Sequence, residues 1–316
     1  MSEVIVVNPG GTSTNPDGST STGPFLGLNV LNEQPVRIVR DTPTSPVVAT
    51  GSPGNDTIQA ARENSTTVFQ ISGNAGEDNL SGGAANDRIS GGASDDVIRG
   101  ARGNDDLSGG SEGDTVLGGV GNDTVQGDDG IDVLNGGAGD DVGNGGTGND
   151  TLLGGPGNDE LFGEAGNDTI RGGDGDDIIE GGANSDFLIG GAGDDVLTPG
   201  SGVDVMKGGA GADTFRFEPG STGPGSLDRI LDFQPGEDVI EISRGLLPQS
   251  GLQVGELSDE DFAIVQDIGV ASTTATLVYE QKSGIVYYSP ADGASVPLLQ
   301  LQKNLGSLSA SDFSLF

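Results

Sequence analysis

The stretch GGTGNDTLLGGPGNDELFGEAGNDTIRGGDGDDIIEGG, from Gly145 to Gly182, returns an aspartate at every ninth residue: Asp150, Asp159, Asp168 and Asp177. Two residues after each aspartate stands a large aliphatic side chain: Leu152, Leu161, Ile170 and Ile179. Outward from this stretch the same phase holds from Gly73 to Arg216, sixteen consecutive units of nine residues. The sixth position is aspartate in all sixteen: Asp78, Asp87, Asp96, Asp105, Asp114, Asp123, Asp132, Asp141, Asp150, Asp159, Asp168, Asp177, Asp186, Asp195, Asp204 and Asp213. The first position is glycine in fifteen units, Pro199 being the exception, and the fourth is glycine in twelve, with Ala85, Ser94, Glu112 and Asn184 departing. The eighth position is apolar throughout except at Gly143. One further copy, GSPGNDTIQ (Gly51–Gln59), stands apart, separated from the array by AARENSTTVFQIS.

The 316 residues include 59 glycines, aromatics make up only 4%, and the net charge is −36. Composition of this kind, taken alone, reads as disorder, because too little apolar surface is available to offset chain entropy. The strict period argues for order instead. A chain this acidic has no attraction for phosphate backbones, which excludes nucleic acid as a partner. There is no Cys and no His. Disulfides, thiolate zinc sites, cysteine nucleophiles and histidine acid–base catalysis are therefore excluded. The opening MSEVIVVNPGG has neither a basic region nor a long apolar core and does not read as a secretory signal peptide. No stretch approaches the ~20 apolar residues of a spanning helix.

One large apolar residue in nine cannot build a globular core. A short strand centred on that residue can point it inward and its two neighbours outward. Stacked copies then share a narrow core of Leu152, Leu161, Ile170, Ile179 and their equivalents. The glycine-rich half of each unit must turn tightly, which calls for positive φ and close backbone approach. So thin a core leaves the ordering entropy of a glycine-rich loop uncompensated, and further stabilisation has to come from outside the polypeptide.

The pattern G-G-x-G-x-D-x-U-x, with U a large apolar residue, resembles the nonapeptide of the RTX (repeats-in-toxin) family, a recognised calcium-binding repeat. The resemblance implies an all-β fold, a calcium-loaded parallel β-roll (a β-solenoid) in which two units make one turn. It also implies that the sixteen sixth-position aspartates are metal ligands and that the cofactor is Ca²⁺, many ions per chain. With one ion in each gap between stacked loops, about fourteen would bind. The donors on offer fit: carboxylates, Asn side chains and carbonyls are hard oxygen ligands, which calcium takes six to eight at a time in flexible geometry. The array carries 29 acidic and 6 basic residues, a net of −23, so the ions would supply the missing counter-charge. Glu112, Asn184 and Pro199 place the neighbouring ion gaps in question. The adjacent carboxylates Asp140–Asp141, Asp176–Asp177 and Asp194–Asp195 do not read as a glycosidase pair: one is a ligand and its neighbour is solvated.

The expected organisation is a flexible N-terminal segment over residues 1–50, the outlying repeat and linker over 51–72, the β-roll over 73–216, and a C-terminal β-rich cap over 217–316. Nine of the thirteen aromatics lie from Phe215 onward. LDRILDF, EDVIEIS, TATLVYEQKSGIVYYSP and VPLLQLQ read as strands, the third as a hairpin turning at Lys282-Ser283-Gly284. Asp228, Asp232 and Asp238 offer a further ion site. The terminal SASDFSLF resembles the uncleaved export signal of type I secretion substrates. No zinc-protease helix motif, Ser/His pairing or phosphate loop precedes the repeats, so no enzyme is expected. The function expected is that of a secreted, stand-alone calcium-binding protein at the cell surface or in the extracellular matrix, with surface polysaccharide or matrix polymers and the type I secretion machinery as partners. The alternative is a non-catalytic accessory module for a polysaccharide-modifying enzyme.

Overall fold

A computed structural model describes residues 46–60, 67–221, 227–247, 254–266, 276–290 and 295–316, with short strand segments at 3–7, 13–14, 20–21, 26–29 and 36–40. It is an all-β parallel β-solenoid. Among the described residues helix is confined to two 3₁₀ turns, Arg244–Leu246 and Ala310–Asp312. The chain forms two compact units, Met1–Glu160 and Leu161–Phe316.

In Met1–Glu160 successive strands alternate between two sheets. Val97–Arg102, Thr115–Val120 and Val133–Ala138 pair in parallel in one sheet. Arg88–Ala93, Asp106–Ser111, Thr124–Asp129 and Val142–Thr147 do so in the other. Ile98 lies opposite Val116 and Ile89 opposite Leu107, so each turn takes two nonapeptides, as the family resemblance implied. Parallel pairing also extends ahead of the continuous array. Val47–Thr50 pairs with Phe69–Ala75, Leu26–Asn29 with Val47–Thr50, and Glu3–Val7 with Val36–Arg40.

The eighth-position side chains form the core: Leu80, Ile89, Ile98, Leu107, Val116, Val125 and Leu134 are all buried. Gly143 occupies this place within strand Val142–Thr147 and is buried, adding no side chain to the column.

The glycines do two separate jobs, only one of which follows from φ. Second and fourth positions sit at positive φ in every unit of the array but Gly82–Ser90, as at Gly119 (121°) and Gly121 (136°). Three of the four fourth-position departures, Ser94, Glu112 and Asn184, hold the same conformation at 85°, 76° and 80°. The loop shape thus persists there at a local cost of about 1–2 kcal/mol each. First-position glycines are needed for room. A Cβ on Gly91 would lie 2.2 Å from Asp96 Oδ2, and one on Gly109 2.3 Å from Asp114 Oδ2. The sixth-position carboxylate folds back onto the glycine that opens its own unit.

Leu161–Phe316 also has two parallel sheets, and each extends beyond the repeats. Val205–Ala210 pairs in parallel with Asp228–Ile230, which pairs with Val296–Gln300. Thr214–Phe217 pairs with Val239–Ile242, which pairs with Phe313–Leu315. The hairpin expected around Lys282-Ser283-Gly284 is present: Leu277–Glu280 runs antiparallel to Ile285–Tyr288, with Gly284 at φ 83° in the turn. The terminal FSL is a core strand, with Phe313 and Leu315 fully buried and Phe313 packed 5.1 Å from the Phe262 ring.

Candidate metal centre

Each sixth-position aspartate ends a tight loop and precedes a strand, and all sixteen are buried, none more than 3% exposed. In each compact unit they form two columns joined by hydrogen bonds at a spacing of 18 residues. The amide of Asp78 donates to Asp96 Oδ1 at 2.7 Å, that of Asp96 to Asp114 Oδ1 at 2.7 Å, and that of Asp114 to Asp132 Oδ1 at 2.7 Å. The second column runs Asp87, Asp105, Asp123, Asp141 and Asp159 in the same way at 2.7–2.8 Å. In Leu161–Phe316 the links Asp168–Asp186, Asp186–Asp204, Asp177–Asp195 and Asp195–Asp213 repeat the pattern.

One oxygen of each linked carboxylate is thereby satisfied. The other is not. Oδ2 of Asp78, Asp96, Asp105, Asp114, Asp123, Asp132 and Asp141 is buried without a hydrogen-bond donor, as is Oδ2 of Asp186, Asp195, Asp204 and Asp213. An isolated buried carboxylate oxygen is costly unless it meets a proton or a cation. Burial raises the carboxyls of Asp105, Asp114, Asp141, Asp186 and Asp195 to about 7, against the downward pull of their backbone N–H donors. Asp78, Asp96, Asp132, Asp204 and Asp213 rise to about 6 for the same reason.

The residues fit a hard divalent cation. Backbone carbonyls share the space: the point where a Gly73 Cβ would sit is 2.1 Å from Asp78 Oδ2 and 2.7 Å from the Gly91 carbonyl oxygen. Among the described residues no three of His, Cys, Asp and Glu converge. An ion here would therefore take at most two carboxylates and draw its remaining ligands from carbonyls, a donor set that calcium accepts and that nitrogen- or sulfur-seeking metals do not favour.

Two aspartates differ. Asp87 Oδ2 accepts from the amide of Gly83 at 2.6 Å, and Asp56 Oδ2 from that of Ser52 at 2.5 Å. In both units the second-position N–H turns inward; at Asp87 this satisfies both oxygens, whereas Asp56 keeps a donor-free Oδ1. Pro199 lies within strand Val196–Ser201, and Asp204 stays fully buried. Asp114 and Asp186 likewise keep their places beside Glu112 and Asn184.

Three further residues extend the columns. Asp56 donates its amide to Asp78 Oδ1 at 2.6 Å. Asp204 and Asp213 donate to Asp228 Oδ1 at 2.9 Å and Asp238 Oδ1 at 3.1 Å, across spacings of 24 and 25 residues. Asp228 is fully buried, its Oδ2 also lacks a donor, and burial raises its carboxyl to about 8. Asp232 lies apart from the columns, accepting from the Gly208 amide at 3.1 Å. The changed spacing hid Asp228 and Asp238 from a nine-residue frame. Their signal is an aspartate next to an apolar strand.

The fifth-position residues are exposed, and they form an outer ladder of opposite polarity. The amide of Asn158 donates to Asp140 Oδ1 at 3.0 Å, and that of Asp194 to Asp176 Oδ1 at 2.8 Å. Asp140–Asp141 and Asp176–Asp177 lie in loops ahead of strands, so the two carboxylates separate into an outer and a buried row.

Six segments, 72–107, 108–143, 117–152, 144–179, 153–188 and 180–215, match the model of the RTX calcium-binding nonapeptide repeat (4 copies). No curated protein matches the chain. Among solved structures, the solution structure of the AlgE6R3 subunit from the Azotobacter vinelandii mannuronan C5-epimerase is 24% identical. That match covers 56% of this chain and 78% of that one, with a TM-score of 0.19. The fold assignment rests on the strand pairing itself.

Proposed function

We propose, from the match of residues 72–215 to the RTX calcium-binding nonapeptide repeat, that the protein is a secreted, non-catalytic calcium-binding protein that folds on ion uptake and acts at the cell surface or in the extracellular matrix. The observation that carries the reading is the pair of aspartate columns whose second carboxylate oxygens are buried without donors. Calcium satisfies those oxygens and supplies positive charge to a chain of net charge −36. Cytosolic calcium is far below the ~10⁻⁴–10⁻³ M range of weak extracellular sites, so the chain stays unfolded until it leaves the cell. The folded solenoid then bridges carboxylated polymers outside.

Calorimetric titration of the full chain tests the reading: on the order of ten or more ions should bind by the family's gap count, and one or two would overturn it. Export is a separate matter. Deleting SASDFSLF removes the buried strand Phe313–Leu315 along with any signal, so a loss of secretion would be ambiguous. Appending residues 217–316 to a passenger protein isolates the signal, and failure of that fusion to leave a cell with a type I system would refute the export clause.

A further inference from the structure

Acidity is unevenly spread over the outer surfaces of Met1–Glu160. In one sheet the strands Thr57–Ala60, Asn79–Ser81, Val97–Arg102, Thr115–Val120, Val133–Ala138 and Thr151–Pro156 contain no Asp and no Glu. The chain has 49 acidic residues, and the other sheet of the same unit carries Asp106, Asp128 and Asp129. These six strands hold two basic residues, Arg99 and Arg102, both exposed. Their outward side is otherwise apolar or neutral, with Val120 56% exposed.

Register brings these groups together. Gln59 lies opposite Ser81, Ser81 opposite Arg99, and Arg99 opposite Leu117, a row across four strands. Arg102 lies opposite Val120. The row and its neighbours line an open groove of about 450 Å³. Arg99 Nη1 donates to Asn79 Oδ1 at 3.1 Å. Neither guanidinium has a carboxylate partner among the described residues, whereas Arg88 pairs with Asp106 at 3.3 Å and Arg216 with Glu241 at 2.8 Å.

We propose that this groove binds the carboxylates of an acidic polysaccharide, an inference that rests on the polymer-bridging part of the function proposed above. Guanidinium forks match carboxylate geometry. Ser81 and Gln59 offer hydrogen bonds to sugar hydroxyls, and Leu117 and Val120 offer contact to the C–H faces of the rings. One carboxylate per sugar is a charge density that two arginines can meet. A denser polyanion such as nucleic acid would be repelled by the acidic loops on either side.

The test uses the full chain in saturating calcium, titrated calorimetrically with a short oligogalacturonate, a neutral oligosaccharide and poly-glutamate. The oligogalacturonate should bind and the other two should not. Arg99→Gln with Arg102→Gln should weaken binding roughly tenfold, the sum of two exposed charge pairs. Arg88→Gln, on the other sheet, should leave binding unchanged. Circular dichroism checks that each variant takes up its calcium-bound fold. Arg102→Gln alone, which breaks no hydrogen bond seen here, serves if the double variant misfolds, and should weaken binding several-fold. Unchanged affinity in the arginine variants would overturn the groove while leaving polymer bridging intact. Absence of binding by the folded wild type would remove both. Equal binding of poly-glutamate would make the groove a site for acidic peptide and overturn the glycan assignment.

Discussion

Within Leu161–Phe316 the repeat strands and the strands that follow them lie in the same two sheets but are held by different forces. Val205–Ala210 buries one large side chain, Met206, and its flanking loops bury Asp204 and Asp213 with unsatisfied oxygens. Leu277–Glu280 is buried at all four positions, and Phe217, Phe233, Phe313, Ile240 and Leu299 are buried as well. Apolar burial contributes about 25 cal/mol per Å² whatever the solution contains. A buried carboxylate contributes only when its counter-charge is present. The function proposed above therefore divides one polypeptide into a part whose order depends on ions and a part whose order does not.

Removing calcium is the strongest way to test that contrast. Chelation should abolish amide protection over 73–216 and leave it over 227–247 and 276–316, read by hydrogen exchange. Uniform loss across both regions would show that the C-terminal strands have no independent stability.

Glycine replacement gives a smaller, local version. A Cβ on Gly191 (φ 138°) would lie 2.0 Å from the Gly173 carbonyl oxygen, whereas one on Gly236 (φ 84°) meets nothing within 4 Å. Gly191→Ala should cost several kcal/mol by forcing two strands apart. Gly236→Ala should cost only about 1–2 kcal/mol of backbone strain. Thermal unfolding in calcium compares them, and equal losses would mean that the close approach relaxes freely.

Position along the columns comes next. Asp195 and Asp96 both have a donor-free Oδ2, unlike Asp87, whose second oxygen is satisfied by Gly83. Asp195 also lies next to the link to Asp213, which itself leads to Asp238. If order spreads from the apolar C-terminal strands, Asp195→Asn should raise the calcium midpoint of folding more than Asp96→Asn. Equal midpoints, followed by circular dichroism, would mean that loops order independently.

Proton linkage should be milder. A folded-state pKa raised above the unfolded value stabilises the ion-free fold below the unfolded pKa, and that contribution is lost as pH rises through the folded pKa. For Asp105, Asp114, Asp141, Asp186 and Asp195 the window runs from the ordinary value, 3.8, to about 7. In chelator the array should gain β structure on acidification from pH 7.5 to 4.5. In calcium the effect reverses: the ion competes with protons, so binding at pH 6 should release protons and need more calcium. Calorimetry in two buffers of different ionisation enthalpy measures that release. The smallest effect expected is from Ser94→Gly, which relieves a non-glycine residue at φ 85° and should stabilise the array by about 1 kcal/mol.

The sequence alone determined the solenoid class, the inward apolar column, the sixteen aspartates and the strands after Phe215. Each of these depends on a local period, and a strand's alternation or a loop's recurrence is written in adjacent residues. Tertiary structure decided what depends on the stacking of one turn upon the next. Asp228 and Asp238 join the columns at spacings of 24 and 25 residues because strand pairing, not residue count, sets the height of a turn. First-position glycines are demanded by a carboxylate folding back from their own unit, a contact invisible in a pattern that explains glycine by φ alone. Phe313–Leu315, within SASDFSLF, is a buried strand because Val239–Ile242 offers it an edge. The acid-free run of strands from Thr57–Ala60 to Thr151–Pro156 exists because alternate units stack on the same side, so residues 18 apart, unremarkable in the linear chain, accumulate into one surface.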